Sequence, residues 1–206
     1  MRKSNETLAS LIQVSYCLFA EHGIAKTTYT MIAKRVGIAK PSIYYYFDSK
    51  DALIAGVFDE LCKAIEFAAF FELEQFTEVH FVENLIAVGV KMIDEQDKDP
   101  YFKRVLQEYM LLATRDQDFS KRLLALQRDY LSGFEALLEK ASVLGQLKNK
   151  DNLAAKAQML AMVLDNIGNF MMFDELIDYK QIWIEAVYSL FTKEETDENE
   201  TTNYRI

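Results

Sequence analysis

Apolar residues recur along this chain at the three-and-four spacing of helices, and the first interruptions come close together, at Gly23, Gly37 and Pro41. Leu8, Leu11, Ile12, Ser15, Leu18 and Phe19 trace one face of a first helix that stops at Gly23. Thr27-Thr28 then supplies an N-cap, because a hydroxyl accepts from the unpaired N–H groups of a first turn. That leaves 29–36 as a short helix, ended by Gly37, a residue able to take positive φ. Proline is tolerated in a first turn, so a third short helix starts near Pro41. Asp48-Ser49 caps a fourth, longer helix, with Asp51 favourable near its positive end.

Longer helices are expected near 78–95, 100–114, 118–144, 152–172 and 179–193, with breaks at 94–100, 115–118, 145–151 and 174–178. Only seven Gly and two Pro interrupt 206 residues, and β-branched runs are scarce, which favours an all-α protein. The expected domains are 1–66, with a helix-turn-helix at about 28–47, and a helical body, 67–193. The tail 194–206 is acidic and polar and is expected to be disordered. No signal peptide or apolar run of membrane-spanning length is evident, so a cytoplasmic protein without membrane contact is expected.

The net charge of −9 argues against a general nucleic-acid coat, but it is unevenly spread. Residues 1–50 carry seven Lys/Arg against three Asp/Glu, whereas the remainder carries 16 against 29. A basic head on an acidic body leaves a local surface able to meet phosphates.

The tyrosines at 44, 45 and 46 have different jobs on a helical wheel. Relative to Ile43, Phe47 lies at about 40° and Tyr46 at about −60°, so these three face a core. Tyr44 lies at about 100°, on the flank, and Tyr45 at about 200°, pointing outward beside Pro41 and Ser42. A short helix, a glycine turn and a second short helix with an outward aromatic and hydroxyl face form a helix-turn-helix. Such a second helix enters the DNA major groove by its N-terminal residues. The candidate contacts are Thr28, Tyr29, Thr30, Lys40, Pro41, Ser42, Tyr44, Tyr45 and Lys50, the lysines bracketing the helix to hold phosphates. The plainer alternative is a tight helical hairpin within a bundle.

The segment "HGIAKTTYTMIAKRVGIAKPSIYYYFDSKDAL" (22–53) resembles the N-terminal domain of the tetracycline-repressor (TetR) family. The residues that carry the likeness are Gly23, Thr27-Thr28, Ile32-Ala33, Gly37, Ser42, Ile43, Tyr44-Tyr45-Tyr46-Phe47, Ser49-Lys50 and Leu53. The chain departs from the family pattern at Thr30 and Met31, where arginine and an acidic residue are common, and at Ala39, Pro41 and Tyr45. These departures bear on which bases are read, so no operator sequence carries over. The resemblance implies a three-helix DNA-binding domain joined by a connecting helix to a larger helical domain that dimerises and binds a small ligand.

The body reads compatibly. "NLAAKAQMLAMVLDNIGNFMMF" (152–173) is too apolar for a monomer's surface helix, and "IWIEAVYSLF" (182–191) is a second such segment. Two such helices per subunit suit a homodimer interface; the alternative is that both are core of one domain. Candidate pocket residues are Met92, Phe102, Tyr109, Met110, Phe134, Met162, Asn166, Asn169 and Phe170. Asp165, Asn166 and Asn169 interrupt the apolar run and face either a pocket or a dimer interface.

His22 and His80 are the only histidines, and the two cysteines, Cys17 and Cys62, do not cluster with them at zinc spacing. No metal or cofactor is expected, and no nucleophile–base pair suggests an enzyme. The leading expectation is a homodimeric repressor on pseudo-palindromic double-stranded operator DNA, released by an apolar or amphipathic effector. The alternatives are an interaction module whose helix-turn-helix binds protein, or a helical enzyme using the apolar cavity.

Overall fold

The computed structural model describes residues 2–173 and 176–191. Nine α-helices form among them, with no strand beyond one isolated bridge. α1 (Arg2–His22) ends at Gly23, where φ is +82°. Thr27 is buried, and its hydroxyl donates back to the Gly23 carbonyl at 2.9 Å, folding the chain against α1. α2 (Tyr29–Val36) is capped by Thr28, whose hydroxyl accepts from Met31 N, and closes at Gly37 with φ +80°. α3 (Lys40–Ile43) is a single turn, with Pro41 in it. α4 (Lys50–Ile65) opens on Ser49, which accepts from Ala52 N at 3.0 Å.

The larger body holds α5 (Phe81–Lys98), α6 (Phe102–Ala113), α7 (Gln117–Val143), α8 (Leu153–Phe170) and α9 (Tyr179–Leu190). α5 starts and ends three residues later than the sequence suggests. Its end runs through the acidic stretch to Lys98, because Pro100 restricts only the residue just ahead of it. α9 stops at Leu190, not 193, because Phe191 turns extended and bridges Leu147, with Lys148 N donating to Leu190 O at 3.0 Å. Two 3-10 turns, Phe67–Ala69 and Leu73–Gln75, fill a stretch the periodicity leaves blank. They bring the Phe67 and Phe71 rings into a stack at 4.7 Å, with Phe76 behind. Residues 174–175, in the last expected break, and the tail 194–206 lie outside the described residues. No described helix is long and apolar enough to cross a membrane.

Two buried clusters hold the chain. The head cluster joins Leu11, Phe19, Ile32, Ile43, Leu53 and Phe58, and it also takes Val105 and Tyr109 from α6. The body cluster runs from Phe67 through Leu85, Phe134 and Leu164 to Trp183 and Phe191. Each buried side chain of this size contributes about 1.5–3 kcal/mol. α6 therefore belongs to the head core, and it also packs along α7 of the body.

Candidate nucleic-acid interface and effector cavity

The head presents α3 by its inner face. Ile43 is fully buried, and Phe47, whose N–H donates to Ile43 O at 2.9 Å, is buried beside it. The regular helix stops at Ile43. Residues 44–46 continue as i to i+3 bonds onto Pro41, Ser42 and Ile43 carbonyls, so the wheel's phase survives one more turn. Tyr45 is 81% exposed, Tyr44 51%, and Tyr46 half-buried. Lys40, Pro41 and Ser42 are exposed along the same short helix.

The other candidate contacts divide. Thr28 and Thr30 are exposed at the start of α2, although the Thr28 hydroxyl is engaged as the cap. Tyr29 is buried. Its ring meets Tyr44 edge-on at 5.2 Å, and burial raises its phenol pKa. It supports Tyr44 from within and does not share the outer face. Lys50 is half-buried, and its ammonium donates to Ile24 O at 2.8 Å and Ala25 O at 3.2 Å, fastening the loop after α1 to α4. Lys26 and Lys34 are further exposed cations of the head that the sequence reading did not single out. Arg35 is tied to Glu21 at 2.5 Å, which lowers the Glu21 pKa.

In the body, the end of α4 with α5, α6, α7 and α8 lines a cavity of about 710 Å³ that opens to solvent beside Met110, Leu124 and Met162. Met92, Phe102, Met110 and Met162 of the expected pocket residues line it. The other five lie elsewhere. Tyr109 is buried in the head core, where its hydroxyl donates to Ile54 O at 2.7 Å. Phe134 is buried in the body core. Asn166, Asn169 and Phe170 lie exposed on the outer side of α8, with Asn169 Nδ2 donating to Asn166 Oδ1 at 3.2 Å. Of the polar trio on α8, Asp165 alone reaches the cavity wall.

Sequence reasoning missed Lys103 and Gln96. Lys103 is only 8% exposed and lines the cavity with Gln96. Its ammonium donates to Asp165 O at 3.4 Å and stands 4.0 Å from Asp165 Oδ1. Burial lowers its pKa, and Asp165 opposes the shift only in part. The signal was present: Lys103 shares a helical face with Leu106 and Met110, three and seven residues on, both on the cavity wall.

α6 connects the two sites. Phe102, Lys103, Leu106 and Met110 line the cavity, and Val105 and Tyr109 enter the head core, against which Phe102 and Leu106 also pack. Ile24 N donates to Glu108 Oε2 at 2.7 Å, just past the end of α1. Tyr16 of α1 donates to Asp99 Oδ2 at 2.6 Å, ahead of α6, and burial together with that carboxylate raises the phenol pKa. At the start of α7, Arg122 pairs with Asp59 of α4 and covers the Phe58 ring at 4.5 Å.

Residues 11–57 match the family described as bacterial regulatory proteins, tetR family. Among curated relatives, the HTH-type transcriptional regulator TtgR of Pseudomonas putida is 32% identical over 59 residues, 29% of this chain and 28% of that protein. The nucleoid occlusion factor SlmA of Mannheimia succiniciproducens is 28% identical over 106 residues, 50% of this chain and 46% of that protein. The matches thus span less than half of these relatives. SmeT, the repressor of the Stenotrophomonas maltophilia multidrug efflux pump SmeDEF, superposes with a TM-score of 0.68 over 91% of each chain at 24% identity. Its complex with triclosan gives a TM-score of 0.71 at 22% identity, covering 92% of this chain and 93% of that one. At such identities the likeness carries the fold: an N-terminal helix-turn-helix domain and a helical C-terminal domain.

Proposed function

We propose that this chain, whose residues 11–57 match the tetR family of bacterial regulatory proteins, is a homodimeric DNA-binding regulator whose hold on an operator is loosened by a small molecule in the body cavity. The observation that carries the first half is the opposition of the two faces of the α3 turn. Ile43 and Phe47 are locked inward while Tyr45 and Tyr44 stand in solvent, with Lys40 and Ser42 beside them. Aromatic rings held out in this way suit thymine methyls and phosphate oxygens in a major groove. Tyr44, Tyr45, Pro41 and Ser42 would meet base edges, and Lys40, Thr28 and Thr30 the backbone. Lys50 would act chiefly by fixing the loop at Ile24 and Ala25.

A single recognition helix per chain favours a dimer on a two-fold site. The outer side of α8 supports one: Met159, Phe170 and Phe173 are exposed there, with Leu176 and Ile177 following and Ile182 on α9. An apolar patch of this kind marks an interaction surface. Asn166 and Asn169 lie within it and belong to the dimer reading, not to the cavity.

α6 supplies the route for release. A molecule pressing on Phe102, Leu106 or Met110 displaces a helix that also holds Val105 and Tyr109 in the head. Release requires the ligand to bind the DNA-free arrangement more tightly than the DNA-bound one. A mobility-shift assay with genomic fragments at two salt concentrations tests the DNA half. Specific complexes that weaken steeply with salt are expected, and no specific complex at either concentration would refute the proposal.

A further inference from the structure

The cavity has one end that ordinary apolar filling does not account for. Lys103 has three ammonium protons, yet the structure gives it one long bond, 3.4 Å to a carbonyl, a carboxylate at 4.0 Å and the Phe102 ring at 5.7 Å. Gln96 Oε1 is buried with no hydrogen-bond partner among the described residues. Both groups crowd over Gly168 of α8, where an added Cβ would stand 1.8 Å from Gln96 Oε1, 2.4 Å from Lys103 Cε and 2.8 Å from Lys103 Nζ. The glycine thus keeps open the space that the two polar ends share. Buried polar groups without partners are costly, and a buried cation more so.

The wall also carries Glu95, Asp99 and Asp165, whose sign would suit a cationic guest, but Asp99 is already engaged and Glu95 and Asp165 stand exposed. Asp99 accepts from the Tyr16 hydroxyl and from Tyr101 N. Glu95 is exposed and faces Lys91 at 3.8 Å, and Asp165 faces Lys103 while remaining largely in solvent. Among the described residues the ammonium lacks a close acceptor, and Gln96 Oε1, as placed, lacks a donor. A half-turn of the Gln96 amide about its last bond offers N–H to an acceptor placed beside the ammonium. The rest of the wall is mainly apolar, with Phe102, Leu106, Met110 and Met162 among it, and Thr114, Ser120, Gln127 and Tyr130 add polar groups.

We propose that the cavity takes an apolar organic acid, its anionic oxygens set on Lys103 and the Gln96 amide and its hydrocarbon part against the α6 and α8 side chains. This rests on the reading of the cavity as an effector site and adds the ligand's charge. Charge-assisted hydrogen bonds to a desolvated ammonium are the strong kind, so the acid should be preferred clearly over neutral analogues.

The test is calorimetric titration of the full chain with three probes of one shape: 2-naphthylacetic acid, 2-naphthylacetamide and 2-(2-naphthyl)ethylamine. The acid should bind at least about tenfold more tightly than the amide, the difference one charged hydrogen bond makes, and the amine most weakly. In Lys103→Met, the acid should lose that advantage while the amide binds as before. Equal affinities for acid and amide in the wild type, or an acid preference that survives Lys103→Met, would overturn the proposal. The wild-type comparison needs no variant, so it stands even if Lys103→Met fails to fold. If the amide binds and the acid does not, the cavity remains an effector site and only its assigned charge is wrong. If none of the three binds, the effector reading falls together with this proposal.

Discussion

The head and the body are both helical, but they are specified differently. In the head, α2 and α4 are set by their immediate neighbours: Thr28 and Ser49 cap their first turns, and Gly37 closes α2 in the left-handed region. In the body, α5, α6 and α8 begin without a side-chain cap, and Asn152 is held at φ +54° ahead of α8. What fixes the body is packing between distant segments, such as Trp183 against Gly89 and Phe67 against Gly133. The bounds of the head helices are thus locally determined, although its core also takes Val105 and Tyr109 from α6. The body is assembled at long range and leaves a cavity and a bare apolar face, which the proposed ligand and second subunit would fill.

The largest test sets the inside of the recognition turn against its outside. Ile43→Ala removes a fully buried side chain and should cost about 2–5 kcal/mol in chemical denaturation. Tyr45→Ala should leave the denaturation curve within about 0.5 kcal/mol of wild type while lowering operator affinity. The reverse pattern would mean that the turn is rotated.

The next two tests use glycines, one from each region. At Gly89 an added methyl would lie 2.1 Å from Trp183 Nε1, a rigid and fully buried ring. Gly89→Ala should therefore destabilise by about 1–3 kcal/mol despite alanine's better helix propensity. At Gly37 nothing lies within 4 Å, so only the positive φ resists a side chain. Gly37→Ala should cost about 1–2 kcal/mol, and Gly37→Asn less, since asparagine tolerates this region. An asparagine that rescues nothing at Gly37 would show that space, not backbone, governs the head as well.

The smallest expected effect concerns Lys103. Its pKa is lowered in the folded state, so the unfolded chain holds the proton to higher pH. Stability should therefore rise as pH climbs from the depressed value toward the ordinary lysine value of 10.5. Thermal melts of Lys103→Met should lack that rise and should lie slightly above wild type at neutral pH. A melting temperature well below wild type would mean that the ammonium is better paired than its two contacts to Asp165 indicate.

The same contrast explains what the sequence revealed. The bounds of α2 and the inward phase of Ile43 were readable because Thr28, Gly37 and Pro41 act on adjacent backbone. The cavity wall was not. Tyr109 and Met110 are neighbours in sequence, yet one enters the head core and the other the cavity, a choice made by where α1, α4 and α7 happen to pass. Likewise Asp165 reaches the cavity while Asn166, the next residue, faces outward. The turns at 67–69 and 73–75 escaped because their phenylalanines take their places from long-range stacking and not from helical period.

The central claim is that the outer face of α3 reads bases while its inner face only holds it in place. Wild type and Tyr45→Ala, each carried through selection from one library of randomised duplexes, test that most directly. The wild type should enrich a pseudo-palindrome with half-sites about one helical turn apart, and Tyr45→Ala, with its melting temperature unchanged, should alter the preferred bases at matching positions of both half-sites. Enrichment of one identical sequence with equal affinity by both proteins, or of no sequence by the wild type, would contradict it.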